Sequence, residues 1–95
     1  MTIVNEIEAH IKNSSAKSYS EFYIGITNDV ERRLFNEHNV DKNHEWWIYR
    51  EAIDEINSRA VEKHFLGKGM KGGNGGGDET SVYVYCYKIS DSTKE

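Results

Sequence analysis

A small α+β domain is the fold class that this sequence predicts, and three observations predict it. Stretches with apolar residues at three-and-four spacing alternate with stretches whose apolar residues recur at every second position, in the order helix, strand, helix, strand, helix, strand. The chain has 95 residues, a length that fits one core and at which this order does not force a parallel sheet. Its composition, 37% hydrophobic and 12% aromatic, suffices for a globular fold, and the absence of a long apolar run leads us to expect neither a membrane span nor a secretory signal. We therefore expect a single domain over 1–95.

The elements follow in order. Thr2 is placed to cap a helix that carries Val4, Ile7 and Ile11 on one face and ends near Asn13 to Ser15. From Glu21 to Thr27 the sequence alternates as a strand with one buried face does, with Phe22, Ile24 and Ile26 on one side and Tyr23, Gly25 and Thr27 on the other. Asn28, followed three residues later by Glu31, has the logic of a capping box, so a helix is expected to run through Leu34 toward His38, closed by the polar run Asn39 to His44. The stretch "EWWIYREA" has the aromatic and branched composition of a strand, with Trp46 and Trp47 on opposite faces. After it, Ile53, Ile56, Ala60 and Phe65 predict one helical stripe. The glycines of "GKGMKGGNGGG" stop that helix and suggest a flexible connector, because it lacks the Gly-Lys-Ser/Thr ending of a nucleotide-binding loop. "TSVYVYCYKI" is the last strand, setting Tyr83, Tyr85 and Tyr87 against Val82, Val84 and Cys86. The polar residues 90–95 are expected to fray.

The bulk chemistry narrows the partners. A net charge of −4 disfavours holding nucleic acid by diffuse attraction, so any phosphate contact has to be local. The single cysteine, Cys86, has no internal disulfide partner and no companion for a zinc cluster, which fits a reducing compartment, cytoplasmic or nuclear. His10, His44 and His64 show no metal-ligand spacing and read as surface residues.

"YIGITNDVERRL", followed by "WWIYREA" and "SRAVEKHFL", resembles the second half of the GIY-YIG nuclease signature over roughly Glu21 to Lys68. That resemblance implies an antiparallel three-stranded sheet flanked by helices and a metal-dependent hydrolysis of phosphodiesters. It implies that Tyr23 acts on the attacking water, that Gly25 lets backbone or substrate approach beside it, and that Arg33, or Arg32 as the near alternative, contacts the scissile phosphate. A guanidinium suits that task, since its planar donors bind two phosphate oxygens and it stays charged. Glu62 matches the glutamate that holds Mg²⁺ or Mn²⁺, a hard cation needing one or two protein carboxylates besides water and substrate. His38 resembles the histidine that follows the arginine, although it lies five residues beyond Arg33 where four are expected. Asn74 stands for a late asparagine that contacts substrate in some members.

The first strand of the signature is missing before Tyr23, and "SVYVYCYK" at the other end resembles it. We infer from this a circular permutation, in which the last strand lies antiparallel beside Phe22 to Thr27 and Tyr85 supplies the first active-site tyrosine, with Tyr83 as second choice. The segment 1–20 is then an added helix and loop. The expected function is a metal-dependent endonuclease acting on nucleic acid, DNA in the first instance, with no membrane association and with a protein partner as a source of specificity. The alternative is a noncatalytic derivative that binds nucleic acid or protein through the same surface, and a third reading is an interaction module within a larger assembly. Residue by residue, ordinary roles compete with these: Tyr23 as a half-buried strand tyrosine, and Arg33 and Glu62 as solvated helix residues.

Overall fold

The computed structural model describes residues 2–14, 18–41, 46–72, 81–91 and 93. Helix α1 spans Ile3–Lys12, with the Thr2 hydroxyl accepting the Asn5 N–H at 3.1 Å. Its inward stripe is the one the spacing predicts, Ile7 being fully buried and Val4 and Ile11 packed against the core. Two polar contacts fix its position: Glu8 accepts the Tyr19 hydroxyl at 2.9 Å, and Glu6 pairs with Arg50 at 2.8 Å. A short turn over Tyr19–Glu21 leads into strand β1, Phe22–Thr27.

Strands β2, Trp47–Glu51, and β3, Tyr83–Lys88, complete a sheet in the order β1-β3-β2, antiparallel throughout. The C-terminal strand is thus the central one. The register sets Tyr23 opposite Tyr87 and Gly25 opposite Tyr85 on one side, and Trp47 opposite Tyr87 and Tyr49 opposite Tyr85 on the other. Because side chains alternate, the sheet separates two clusters. Phe22, Ile24, Ile26, Ile48, Val84 and Cys86 pack with α1 and with helix α2, Glu55–Lys68. Tyr23, Tyr85 and Tyr87 pack on the other face with Leu34 and Val40. Every residue of β1 is therefore buried. The expected single buried face is corrected to two, since the segment after β1 folds back over the tyrosine side.

That segment also differs from the expected helix. Its first turn is capped by Asp29, whose carboxylate accepts the Arg32 N–H at 3.1 Å, while Asn28 is engaged by the Arg32 guanidinium. Asp29 is in turn placed by its own N–H donating to Thr27 Oγ1 at 3.0 Å. From Arg32 to Glu37 the backbone is π-helical, and the His38 N–H donates to the Arg33 carbonyl at 2.9 Å, a five-residue step.

In α2 the expected stripe holds at Phe65 and is corrected at its other three positions. Ile53 and Ile56 are 92% and 75% exposed and Ala60 is exposed, whereas Ser58, Val61 and Phe65 face inward. The Asp54 cap starts the helix after Ile53, and the Ser58 hydroxyl, donating to Ser81 O at 2.6 Å, anchors the face that turns in. The helix runs through Gly67 and stops at Gly69, whose φ of 112° is the left-handed geometry that glycine accepts most readily. Met70 is then buried, and Lys71 bridges the outer edge of β1, donating to Phe22 O and accepting from Ile24 N at 2.9 Å each. The glycine stretch thus begins as an ordered edge. Asn74 and the rest of the expected connector over 73–80 lie outside the described residues. Among the described residues, no helix is long and apolar enough to cross a membrane.

Candidate functional site

The site is built on the tyrosine face, where the two ends of the chain meet. Position 25 decides the packing: a Cβ there would overlap the Tyr85 phenol, so the gap left by glycine is filled by that ring. With its ring lying across Gly25, Tyr85 brings its hydroxyl to Arg33 and His38. Arg33 Nη2 donates to it at 3.2 Å, and His38 Nε2 lies 2.8 Å from it. The other ring nitrogen of His38 lies 3.1 Å from the Tyr87 hydroxyl. A neutral imidazole donates from one nitrogen and accepts at the other, so His38 links the two phenols as a two-ended relay. Tyr23 packs on the same group, its ring centroid 4.7 Å from that of His38 and 5.2 Å from that of Tyr87.

The π-helical backbone explains why His38 reaches this position. In an α-helix, residues three or four apart share a face, and a five-residue separation turns the second side chain away. Widening the turn by one residue returns position 38 toward the face that carries Arg33. The extra residue that the sequence shows between Arg33 and His38 is absorbed in the backbone.

The electrostatics separate buried members from edge members. Tyr85 is fully buried and its phenol is pushed up to about 12, chiefly by burial and against the opposing pull of Arg33. Burial acts to lower the Arg33 pKa, yet its contacts with Tyr85 and the nearby Glu37 carboxylate hold it above its ordinary value. Arg33 also pairs with Glu37 at 3.1 Å, and among the described residues its buried Nε has no hydrogen-bond partner. Arg32 points elsewhere, to Asn28 and to Glu37 at 3.2 Å. Glu62 projects from α2 beside the buried Val61; burial raises its pKa, Arg59 partly offsets that, and its charge is felt at Tyr85.

The structure thus brings Tyr23, Gly25, Arg33, His38 and Tyr85 into one contact set, with Glu62 at its electrostatic border and Arg32 outside it. Asn74 is not described. Tyr83, the second choice for the first tyrosine, lies one strand pair away, opposite Thr27. Tyr87, which the structure sets opposite Tyr23, is a member that sequence reasoning passed over, although its period-two relation to Tyr85 was an available signal. Among the described residues, no three His, Cys, Asp or Glu side chains gather as a metal-holding group. Glu62 alone fits a cation in one respect: it is a carboxylate drawn partly out of water with its charge incompletely compensated.

In comparisons with known proteins, no family model, curated protein or solved structure matches the chain.

Proposed function

We propose that this chain is a circularly permuted GIY-YIG-like domain that hydrolyses phosphodiester bonds in nucleic acid, DNA in the first instance, with Mg²⁺ or Mn²⁺ held at Glu62. The observation supporting this reading is the meeting of Arg33 and His38 on the hydroxyl of Tyr85, across 52 and 47 residues of sequence. The family resemblance assigns the same three residues to one site. In this reading Arg33 binds the scissile phosphate through its planar donors, from the edge of the cluster where its side chain keeps 27% exposure. The bound cation would lower the pKa of a coordinated water and offset charge on the phosphate oxygens. Tyr85, with its phenol near 12, holds its proton at neutral pH and orients rather than abstracts. His38 fixes that orientation through its second contact, to Tyr87. Tyr23 is the member left to act on the attacking water. A cytoplasmic or nuclear setting, with a protein partner supplying specificity, completes the proposal.

One observation favours the second reading, a noncatalytic derivative binding nucleic acid or protein. Tyr23, His38, Tyr85 and Tyr87 are 5%, 3%, 0% and 0% exposed, so the cluster also serves as core. Nicking of supercoiled DNA with Mg²⁺ separates the two. Cleavage lost in both Glu62→Gln and Arg33→Ala, with the fold intact by NMR, is the expected result. Burial disfavours the Glu62 carboxylate, so Glu62→Gln is expected to be at least as stable as the parent at neutral pH. Absence of nicking by the parent, with Mn²⁺ leaving the amide signals around Tyr23, Arg33, Glu62 and Tyr85 sharp, would leave the noncatalytic reading in its place.

A further inference from the structure

On the tyrosine face, one strand pair away from Tyr85, lies a cleft of about 450 Å³ that the proposed chemistry does not use. Its apolar wall is aromatic: Phe35, Trp47, Tyr49 and Tyr83 line it. The rings follow one another as a continuous row. Trp47 and Tyr49 are stacked nearly parallel at 6.2 Å, while Phe35 meets Trp47, and Tyr83 meets Tyr49, edge-on at 5.1 and 6.4 Å. Among the described residues, the charged side chains of its lining are Asp29 and Glu31, with no lysine or arginine beside them. Exposed Glu51 follows Tyr49 at the next position on the same side of β2. Of the two arginines of the neighbouring segment, Arg33 is engaged by Tyr85 and Glu37, while Arg32 reaches Asn28 at the cleft rim and has its charge paired with Glu37. Aromatic faces carry negative quadrupole potential and attract a cation, which carboxylates at the rim reinforce. The same rim repels a phosphate-bearing nucleotide.

Trp47 and Tyr49 also border a second space. A groove of about 410 Å³ follows five consecutive residues of β2, from Trp47 to Glu51, with His10 of α1 on its far side. Strand β2 is an edge of the sheet. Lys88 N donates to Trp46 O at 3.1 Å and Ala52 N to Val82 O at 2.7 Å, so the even positions of β2 direct their backbone groups toward β3. By the alternation of an antiparallel ladder, Tyr49 and Glu51 direct theirs outward into the groove. The Tyr49 carbonyl is shared with the Arg50 side chain at 2.7 Å.

We propose that an extended basic segment of a partner protein adds to the β2 edge and sets a lysine or arginine side chain into the aromatic cleft. Strand addition supplies backbone hydrogen bonds, and the cleft selects the side chain that faces it. Charge complementarity selects the occupant: a row of four aromatic residues with Asp29 and Glu31 beside it suits an ammonium or guanidinium group. This inference is independent of the nuclease reading, since neither Arg33 nor Glu62 takes part.

The test uses the full chain and a blocked peptide alternating valine and lysine, followed by NMR, with the valine-glutamate counterpart as control. The expected result is saturable shifts at the Trp47 indole, Tyr49 and Tyr83, slowed exchange of the Tyr49 and Glu51 amides, and weakening by added salt. Tyr49→Ala, at a position 43% exposed, is expected to weaken binding about fivefold without unfolding the domain, and Glu31→Gln to weaken it less. Arg33→Ala should leave peptide binding unchanged even where it removes nicking. Equal binding of the glutamate peptide overturns the charge argument. Shifts produced equally by butylammonium alone overturn the strand addition. Cleft signals that move with deoxyadenosine monophosphate and not with the lysine peptide would identify a nucleobase site and overturn the proposal as a whole.

Discussion

The two faces of the sheet are built on different terms. One carries Phe22, Ile24, Ile26, Ile48, Val84 and Cys86 under two helices, and its interactions are apolar packing. The other buries nearly as completely a histidine, three tyrosines and the buried atoms of an arginine, joined by hydrogen bonds from Arg33 to Tyr85 and through His38 to Tyr87. An apolar core loses stability in proportion to the volume removed, whereas a polar cluster loses it through partners left unsatisfied. A buried polar network whose members are satisfied fixes one arrangement of its side chains more sharply than apolar packing does.

The difference can be broken from the apolar side first. Phe65→Ala removes a fully buried ring beneath the first face, and we expect a loss of about 3–5 kcal/mol in denaturant unfolding. Tyr85→Phe keeps the ring and removes the hydroxyl, leaving His38 and Arg33 short of a partner, for a loss of about 1–3 kcal/mol. A Tyr85→Phe loss as large as that of Phe65→Ala would mean that the hydroxyl network, rather than packing, holds this face together.

Gly25→Ala sharpens the comparison within the second face. The added methyl overlaps the Tyr85 ring, and a strain of about 1–3 kcal/mol is expected. The clash is specific to one neighbour, so the same substitution should cost measurably less in a Tyr85→Leu background. Additive losses in the double variant would show that the methyl strains the backbone instead.

A titration reaches the same residue from another direction. The Tyr85 phenol is raised from 10 to about 12 in the fold, so the folded protein holds this proton more tightly than the unfolded chain. Its contribution to stability is complete below pH 10 and is lost as pH rises from 10 to about 12. Alkaline unfolding followed by circular dichroism should therefore fall less steeply over that window in Tyr85→Phe than in the parent.

Much of the first face was legible in the sequence, and less of the second. Period-two alternation in Phe22–Thr27 and Tyr83–Lys88 located both strands, and the three-and-four spacing of Val4, Ile7 and Ile11 located α1 with its inward side. The pairing of β1 with β3 was reached through the family resemblance. Tyr23, Arg33 and Tyr85 were singled out the same way, and the fold sets them together. The path by which His38 joins them was hidden, because a π-helical turn is a backbone choice that side-chain spacing does not announce. The asparagine-to-aspartate shift of the cap was equally unreadable, since both residues are good acceptors and only the contacts of Arg32 and Thr27 decide between them. The aromatic cleft draws on three separate segments, and nothing local marks it.

The inward face of α2 was misread for a physical reason that the smallest expected effect can test. Apolar periodicity counts Ile53 and Ile56 and passes over Ser58, yet the hydroxyl of Ser58 is fully buried between the carbonyls of Glu55 and Ser81 while both isoleucines are exposed. A short hydroxyl that satisfies a backbone carbonyl in the segment leading into β3 is compatible with burial, and it fixes the rotation of the helix more tightly than an isoleucine near a helix start. Ile56→Gln is accordingly expected to change stability by no more than about 0.5 kcal/mol. Ser58→Ala, which removes the buried hydrogen bond from the Ser58 hydroxyl to the Ser81 carbonyl, is expected to cost about 1–3 kcal/mol. Should thermal unfolding rank the two in the opposite order, the apolar stripe faces inward after all, and Glu62 would turn away from Tyr85 along with it.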